Sequence, residues 1–505
     1  MTKPPKPSSR PQQPGAAEVQ PLSTIRVVMA SPEIGPFAKT GGLSDVLNSL
    51  PGALGQLGVH TSLIMPAYRS VMQQFPLEST GIRFRVPISN RTEEGMVLQL
   101  NGEDGNQTYF VRADKYFDRD NLYGTPEGDY ADNAERFIFF SRAILEVLRN
   151  NPPQILHAHD WQSALAIAFL RAQPELYPEL AATKTVQTIH NLGYQGLFPE
   201  SDWRLLDLNR SFYSPHYFEF YGKINFLKSG IVLSNSITTV SPTYAEEIKT
   251  PENGFGLDGV FRERADRLVG IMNGIDYTTW NPESDKDIAA PYGTGKLSGK
   301  KTCKGALQRT FSLPQNPEIP VVGMVSRLVD HKGIELLAAA LPELLSMNIQ
   351  LVIVGTGEKR YHELLTQMAA QYPAKLGVRL VFDEALSHQV IAGADVFLMP
   401  SRYEPGGLTQ MYAMRYGTIP VVRATGGLKD SVREFDPETK TGNGIVFGPY
   451  AAPDLLAAVQ RAIDLFRHKT IWTRLMKNAM STDFSWDRSA HEYLNLYRRL
   501  LADKQ

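Results

Sequence analysis

Residues 25–65 read IRVVMASPEIGPFAKTGGLSDVLNSLPGALGQLGVHTSLIM, and their hydrophobic pattern sets the expected architecture. An apolar, β-branched run at 25–30 is followed by a glycine-containing loop. Residues 43–57 then place leucine or valine at intervals of three, four and seven, which is typical of one face of an amphipathic helix. A second apolar run follows at 59–65. Strand, loop, helix and strand make a βαβ unit, which predicts a parallel sheet covered on both faces.

This alternation of apolar runs and amphipathic stretches continues to residue 468, with two interruptions. Residues 81–111 alternate with a period of two around an Asn-Gly turn signal, which predicts an antiparallel insertion. Residues 250–300 are rich in Gly, Pro, Asn and Asp, which marks a boundary. The chain lacks the eight evenly spaced βα units of a TIM barrel, so the pattern favours two separate sheets.

We therefore predict an α/β fold with two doubly wound, Rossmann-like domains, at 22–275 and 276–480. Six prolines within residues 1–21 predict a disordered tail, because such a segment buries too little apolar surface to offset its ordering entropy. A last helix within 481–505 can pack on either domain, including back on the first. The strands expected in the second domain lie at 320–325, 349–354, 378–382, 395–399 and 419–422.

The charge balance and the cysteine count exclude several classes of protein. Lys and Arg total 52 and Asp and Glu total 53, which argues against a nucleic-acid or membrane-surface binder held by its overall field. The single cysteine, Cys303, excludes an intramolecular disulfide framework and any cysteine-based metal site, and predicts a reducing cytoplasm. No run reaches the roughly eighteen apolar residues that a membrane helix needs.

The loop after the first strand carries Lys39, Gly41 and Gly42. In open α/β sheets the ligand crevice lies at the carboxyl ends of the strands. Paired glycines there allow backbone N–H groups to approach an anion, and the following helix contributes the positive end of its dipole. The alternative is a tight turn with an exposed lysine and no ligand.

Three histidines at predicted strand ends support a rival class, a metal-dependent hydrolase. His157 and His159 share one face of a strand, and His190 ends another strand. Together they could chelate a metal ion. No further His/Asp cluster with ligand spacing accompanies them, so we predict that the chain binds no metal.

The second domain holds a stronger constellation at its strand ends. Arg327 and Lys332 flank a strand-to-helix loop, a position suited to a phosphate group. Glu404 lies on a second such loop, at 401–409, where a carboxylate needs donors such as sugar hydroxyls. The paired glycines at 426–427 occupy another strand-to-helix loop, one strand later. These loops predict a site for an anion and a polyol.

Several motifs stand in a fixed order along the chain. They are Lys39-Thr40-Gly41-Gly42-Leu43, His157-Ala158-His159-Asp160-Trp161, His190-Asn191-Leu192-Gly193-Tyr194-Gln195-Gly196, Asn273-Gly274-Ile275-Asp276, Ser326-Arg327-Leu328 and Glu404-Pro405-Gly406-Gly407-Leu408-Thr409-Gln410. With these motifs the sequence resembles the bacterial glycogen synthases and plant starch synthases, from about residue 25 to about residue 500. The resemblance implies the GT-B fold, in which an acceptor domain and a nucleotide-sugar domain face a central cleft. It further implies transfer of glucose from ADP-glucose to the non-reducing end of an α-1,4-glucan such as glycogen or maltodextrin, with retention of configuration and no cofactor.

The resemblance also implies roles for single residues. Arg327 and Lys332 are expected to stabilise the leaving diphosphate, because an enzyme without a metal must supply fixed positive charge there. Glu404 is expected to contact hydroxyls of the transferred glucose, His190 to hold that sugar, and Asp160 to orient the acceptor or the sugar. The expected substrate-binding residues are Lys39, Gly41, Gly42, Asn191, Asn273, Phe382, Gly407, Leu408 and Thr409.

Two positions depart from the family pattern. Gly406 stands where the family usually has cysteine, and Phe382-Asp383 stands where it usually has Tyr-His, so Phe382 keeps adenine stacking and loses a hydroxyl. The sequence leaves two further classes open: another retaining GT-B transferase or a sugar-nucleotide epimerase, and a non-catalytic glucan-binding homologue. It also leaves open the choice between ADP-glucose and UDP-glucose.

Overall fold

The computed structural model describes residues 24–102, 107–125 and 127–503, so the tail predicted at 1–21 lies outside the described residues. The strands are β1 (Ile25–Ala30), β2 (Val59–Pro66), β3 (Glu78–Ile88), β4 (Arg91–Asn101), β5 (Gln107–Arg112), β6 (Gly124–Thr125), β7 (Gly128–Asp129), β8 (Ile155–His159), β9 (Lys184–Ile189), β10 (Leu197–Pro199), β11 (Glu219–Phe220), β12 (Lys223–Asn225), β13 (Ser236–Thr239), β14 (Leu268–Gly270), β15 (Val321–Val325), β16 (Gln350–Val354), β17 (Leu376–Arg379), β18 (Val396–Met399), β19 (Ile419–Arg423) and β20 (Ile445–Phe447).

The helices alternate with these strands along most of the chain. They are α1 (Gly42–Gln56), α2 (Arg69–Gln74), α3 (Asp114–Phe117), α4 (Asn133–Arg149), α5 (Asp160–Ala172), α6 (Trp203–Leu206), α7 (Phe226–Leu233), α8 (Pro242–Glu247), α9 (Asp258–Glu263), α10 (Ser298–Thr310), α11 (Ile334–Ser346), α12 (Lys359–Gln371), α13 (Glu384–Gly393), α14 (Thr409–Arg415), α15 (Gly426–Ser431), α16 (Ala452–Arg467), α17 (Lys469–Met480) and α18 (Trp486–Ala502). None of these helices is long and apolar enough to cross a membrane.

The first half of the chain builds a sheet with the strand order β14-β13-β9-β8-β1-β2-β5-β4-β3. The strands from β14 to β5 pair in parallel, whereas β5, β4 and β3 pair antiparallel. The antiparallel insertion therefore extends the edge of the same sheet. The apolar strands β1 and β8 lie in its centre, buried between helices, as the near-continuous apolar runs indicate.

The second half builds a fully parallel sheet in the order β17-β16-β15-β18-β19-β20. Its order changes direction at β15, so the carboxyl ends of β15 and β18 open a crevice there. The last helix, α18, contributes Trp486, Tyr493 and Tyr497 to the core of the first sheet. The serine hydroxyl of Ser489 also donates to the Met272 carbonyl. The C-terminus of the chain thus returns across the molecule.

The strand expected at 378–382 is wrong in its bounds, because β17 spans Leu376–Arg379. Its pairing partner β16 ends at Val354, opposite Arg379, so the ladder has no further partner although the sequence stays apolar. Phe382 consequently lies beyond the strand in a loop, with 73% of its surface exposed. This displacement places the phenylalanine ring at the cleft.

Candidate active site

Two adjoining cavities, of about 450 and 280 Å³, lie between the two sheets at the carboxyl ends of their strands. They share the glycine loop, Arg327 and Lys332. The first cavity is lined by the predicted residues Gly41, Gly42, Asp160, His190, Asn191, Asn273, Arg327, Lys332, Glu404, Gly407, Leu408 and Thr409. Lys39 and Phe382 line the second. The structure thus brings all the residues predicted for catalysis and substrate binding to one cleft, and their roles remain predictions.

A larger hollow of about 1190 Å³ lies over β3 and β4, away from this cleft. It contains none of the predicted residues. Most of its charged side chains pair with one another, as in Arg85 with Glu94 and Arg112 with Asp114. We therefore place the chemistry in the cleft.

The glycine loop is pressed against the second sheet. A side-chain carbon added at Gly42 would lie 3.2 Å from the Leu408 side chain. The glycine loop approaches Leu408 this closely because residue 42 has no side chain. Lys39 is not a lone exposed cation: its ammonium lies 2.9 Å from Asp45 and, across the cleft, 3.3 Å from Glu384. Burial alone would lower the pKa of Lys39, but these two carboxylates raise it. Binding an anion here requires the ammonium to exchange partners.

Lys332 and Glu404 form a closed ion pair in the first cavity. The ammonium of Lys332 lies 2.7 Å from both oxygens of the Glu404 carboxylate, and the Ser401 hydroxyl donates to the same group at 2.9 Å. Burial would raise the pKa of Glu404, but Lys332 and Ser401 outweigh it and hold this pKa below its usual range. The donors that a buried carboxylate needs are therefore supplied by the protein itself.

Arg327 is differently placed, because no carboxylate of the described residues pairs with its guanidinium. The guanidinium donates to the Tyr194 hydroxyl at 3.3 Å and lies 5.8 Å from the centre of that ring. Because the charge of Lys332 is matched by Glu404, Arg327 is the cation available to an anionic ligand at the junction of the two cavities.

Asp160 begins α5 in a left-handed conformation, with φ of 56°. Its carboxylate accepts the backbone N–H of His190 at 2.7 Å. Burial raises the pKa of Asp160 to about 7; the His190 N–H opposes this rise and the nearby Glu33 adds to it. Burial also lowers the pKa of His190 to about 3, so its imidazole is neutral. Its Nε2 lies 3.0 Å from Nδ1 of His159, within hydrogen-bond distance.

The histidines do not assemble into the metal site that the rival hydrolase hypothesis needs. His157 and His159 do share a face, with their rings stacked 4.2 Å apart. However, both ring nitrogens of His157 are already engaged, by the hydroxyls of Tyr497 and Thr188. Burial lowers the pKa of His157 to about 3. This histidine thus anchors α18 to the first sheet.

Two features of the site were not predicted from the sequence. Glu33 is buried in the first cavity and accepts hydrogen bonds from Tyr123 and from the backbone and hydroxyl of Thr40. Its position in the loop after β1 was a usable signal. The second feature is the stacked ring of Trp280, which lies 3.8 Å from both His388 and Tyr412 and lines the second cavity.

Two parallel-sheet units facing a cleft that holds paired cations, carboxylates and a glycine loop define a glycosyltransferase of the GT-B class. Residues 26–263 match the starch synthase catalytic domain family, and residues 308–473 match the glycosyl transferases group 1 family. The chain belongs to the family of the bacterial glycogen synthases and the starch synthases. It is a hexosyltransferase.

Individual relatives match over nearly the whole chain. A glycogen synthase of Koribacter versatilis is 45% identical over 94% of this chain and 98% of its own, and one of Syntrophotalea carbinolica is 44% identical over 94% and 99%. The catalytic domain of starch synthase IV from Arabidopsis thaliana, bound to ADP and acarbose, superposes with a TM-score of 0.86 at 33% identity, covering 95% of this chain and 100% of that one. A sucrose-phosphate synthase from Thermosynechococcus elongatus, at 16% identity and a TM-score of 0.57 over 95% and 99%, shares the fold.

Proposed function

We propose that the protein transfers glucose from ADP-glucose to the non-reducing end of an α-1,4-glucan, with retention of configuration and without a metal ion. The observation that carries this proposal is the position of Arg327, an arginine without a carboxylate partner among the described residues, where the two cavities meet. The structural relative that binds ADP and acarbose supports an adenine nucleotide and a glucan-like sugar as the two ligands.

The second cavity suits the nucleotide. Phe382 exposes its ring at the rim, where an adenine base gains stacking and apolar contact. Arg327 at the inner end is then in reach of the diphosphate, and its planar, permanently charged fork suits phosphate oxygens. Gly41 and Gly42 present backbone at the start of α1, a long helix whose dipole favours an anion.

The first cavity suits the glucose unit and the incoming glucan end. Its lining combines the paired Lys332 and Glu404 with Asp160, His190 and Asn191, a polar set that can satisfy sugar hydroxyls. Asp160 acts on His190 through the backbone N–H, so it fixes the orientation of the peptide that faces the sugar. A neutral imidazole at His190 donates or accepts hydrogen bonds without adding charge.

The reaction breaks the bond between the anomeric carbon and the diphosphate oxygen, and forms a bond from that carbon to the acceptor 4-hydroxyl oxygen. The proton of this hydroxyl passes to the departing phosphate oxygen on the same face, which retains configuration and needs no nucleophilic side chain. Negative charge gathers on the diphosphate as the bond breaks, and Arg327 offers fixed positive charge there. Preorganised charge of this kind is usually the largest catalytic contribution.

A metal-free reaction predicts that activity survives prolonged treatment with EDTA and rises less than about twofold on addition of Mg²⁺. The measurement is chain elongation by the treated enzyme, with and without each divalent cation. Activity that disappears on chelation and returns with one specific cation would restore the metal-dependent class. A cytoplasmic location likewise stays a prediction from the single cysteine.

The test of the function mixes the full chain with ADP-glucose and a short maltodextrin and follows chain length. Elongation by α-1,4-linked units supports the proposal, and a matched reaction with UDP-glucose measures donor preference. Conversion of the donor sugar without elongation would identify an epimerase. Binding of the glucan without any turnover would identify a non-catalytic homologue.

A further inference from the structure

A row of aromatic side chains leads across the surface towards the first cavity. The aromatic row consists of Tyr221, Phe220, Phe255 and Tyr403. Tyr221 sits at the tip of the hairpin formed by β11 and β12 with 81% of its surface exposed, the largest fraction among the exposed large apolar side chains of the described residues. Phe255 is 37% exposed. Phe220 and Tyr403 are half-buried and connect the two exposed rings to the protein. Exposed apolar side chains supported in this way mark interaction sites.

The contacts between these residues make the row continuous. The rings of Tyr221 and Phe220 are 4.8 Å apart, and those of Phe255 and Tyr403 are 5.2 Å apart. Gly256 follows Phe255 in the chain and links the two pairs. A side-chain carbon added at Gly256 would lie 2.8 Å from the Phe220 ring and 3.2 Å from the Tyr221 ring. The row therefore starts on the first half of the chain and ends on the second.

The backbone at two of these positions does not favour an aromatic residue. Tyr221 and Gly222 have φ of 49° and 76°, the left-handed pair of a two-residue hairpin turn whose first position prefers asparagine or aspartate. Phe255 has φ of 49°, again unusual for a bulky residue. The backbone therefore favours a small polar residue at both places, and at Tyr221, with 81% of its surface exposed, burial does not account for the ring.

The inner end of the row meets the candidate active site. Tyr403 precedes Glu404 and stacks on His331, which precedes Lys332, at 5.1 Å. The Tyr403 hydroxyl lies against Gly193, because a side-chain carbon added at this glycine would be 2.7 Å from it. Gly193 belongs to the loop in which Asn191 and Tyr194 line the first cavity. The inner end of the aromatic row therefore lies against the loop that lines the first cavity.

We propose that the aromatic row binds the glucose units of the acceptor that trail behind its non-reducing end, and so gives the enzyme a preference for long glucans. This inference rests on the proposed function. The rings carry no charge, which suits a neutral polymer better than a nucleotide, and each glucose ring has an apolar face of C–H groups that packs on an aromatic ring. The tyrosine hydroxyls at both ends can bond to sugar hydroxyls.

The test replaces Tyr221 by asparagine, the residue that the turn geometry prefers, so that the ring is lost and the hairpin is kept. Tyr372→Asn, on a 36% exposed tyrosine after α12, is the matched control. For Tyr221→Asn we expect the KM for a maltodextrin of ten or more units to rise about threefold to tenfold. The KM for maltotriose, the KM for ADP-glucose and kcat should stay within twofold. Retardation by amylose in a native gel should weaken in this variant alone.

Three results would overturn the inference. They are an unchanged KM for the long acceptor, an equal rise for maltotriose and the long acceptor, or a change in sedimentation that shows the row to be a contact between copies of the chain. Failure of the proposed function looks different, because the unsubstituted enzyme would then elongate neither acceptor. Gel retardation by amylose, which needs no turnover, still tests the row in that case.

Discussion

Arg327 is the residue on which the proposed chemistry depends most directly. Replacing Arg327 by glutamine removes the positive charge that faces the leaving diphosphate and keeps a hydrogen-bond donor. We expect kcat to fall about 10²–10³-fold, the usual effect of losing one group that stabilises transition-state charge. Steady-state kinetics with ADP-glucose measure the change.

The control for this variant is Arg474→Gln, on an exposed arginine of α17 outside both cavities. It should leave kcat and the melting temperature unchanged. Were Arg327→Gln to retain more than a third of the parent kcat, the assignment of this arginine to the leaving group would be wrong.

Asp160 gives a prediction about stability and pH. Its folded-state pKa of about 7 lies above the ordinary value of 3.8, so between these values the folded protein holds a proton that the unfolded chain releases. Stability from this group therefore falls as pH rises through that window. Asp160→Asn removes the free-energy cost of burying an ionisable carboxyl group, and asparagine tolerates the left-handed backbone. We expect the variant to gain about 1–3 kcal/mol more at pH 8 than at pH 5.

Urea denaturation of the variant and of the parent at the two pH values measures this difference. Asp207→Asn serves as the control, because Asp207 is also left-handed, with φ of 51°, and lies outside the cleft. A gain of equal size at pH 5 and pH 8 would mean that the Asp160 carboxylate is ionised throughout.

The sequence could place the predicted residues at one cleft because each stands at a strand end, and parallel strands bring their carboxyl ends to one edge. The sequence could not predict which charged side chains form ion pairs with each other. Lys332 was expected to face only the diphosphate, yet it is paired with Glu404, 72 positions away in the chain. Lys39 likewise reaches Glu384. The first pairing depends on how two loops of the second sheet meet, and the second pairing depends on how the two sheets meet.

At the level of elements, the second cavity is backed by a stack of three rings from different parts of the chain. Trp280 lies between His388 of α13 and Tyr412 of α14. Asp285 holds the stack together, because its carboxylate pairs with His388 at 2.7 Å and accepts the Tyr416 hydroxyl at 2.5 Å. The side chain of Asp285 is almost fully buried.

Asp285→Asn should destabilise the protein by about 1–3 kcal/mol, since it weakens two buried hydrogen bonds to a charged acceptor. Because Trp280 lines the second cavity, we also expect the KM for the donor to rise a few-fold with little change in kcat. Denaturation curves and donor kinetics provide both numbers. Asp287→Asn, on the exposed neighbour, should change neither, and equal effects of the two substitutions would contradict the positioning role.

Elements with a strong periodic pattern were predictable, and those fixed by a partner were not. The sequence predicts a helix at 333–346, and α11 spans Ile334–Ser346, because leucines and alanines mark its buried face. Strand β17 ends three residues earlier than expected, because its bounds depend on where β16 stops. The short elements α15 and β20 were missed, since neither is long enough to show a period.

At the scale of the whole molecule, polar contacts join the two sheets at the floor of the cleft. Glu247 of α8 accepts from the hydroxyl of Thr425 and the N–H of Gly426, and Asp430 accepts from the N–H and hydroxyl of Thr243. The Ser241 hydroxyl donates to the Pro405 carbonyl. Polar contacts of this kind are typical of interfaces between domains of one chain. The two halves of the site therefore depend on separate folding units.

This division predicts where the nucleotide binds. Most residues that line the second cavity, including Trp280, Arg327 and Phe382, follow residue 275. The apolar core around the second sheet is also built from residues after 274, with its buried members ending at Met480. A fragment of residues 276–480 should therefore fold and bind ADP, with a Kd within about tenfold of the full chain, because Lys39 and the glycine loop add only part of the contact.

Calorimetric titration of ADP into this fragment, into residues 22–275 and into the full chain measures the division. The 22–275 fragment lacks α18, whose Tyr493 and Tyr497 are buried in the core of the first sheet, so its folding is checked by circular dichroism and a version joined to residues 484–503 is included. Neither fragment alone should elongate maltodextrin, because Asp160 and His190 lie on one half and Arg327 lies on the other. ADP binding to the first half as tight as to the full chain would reverse the assignment of donor and acceptor sides.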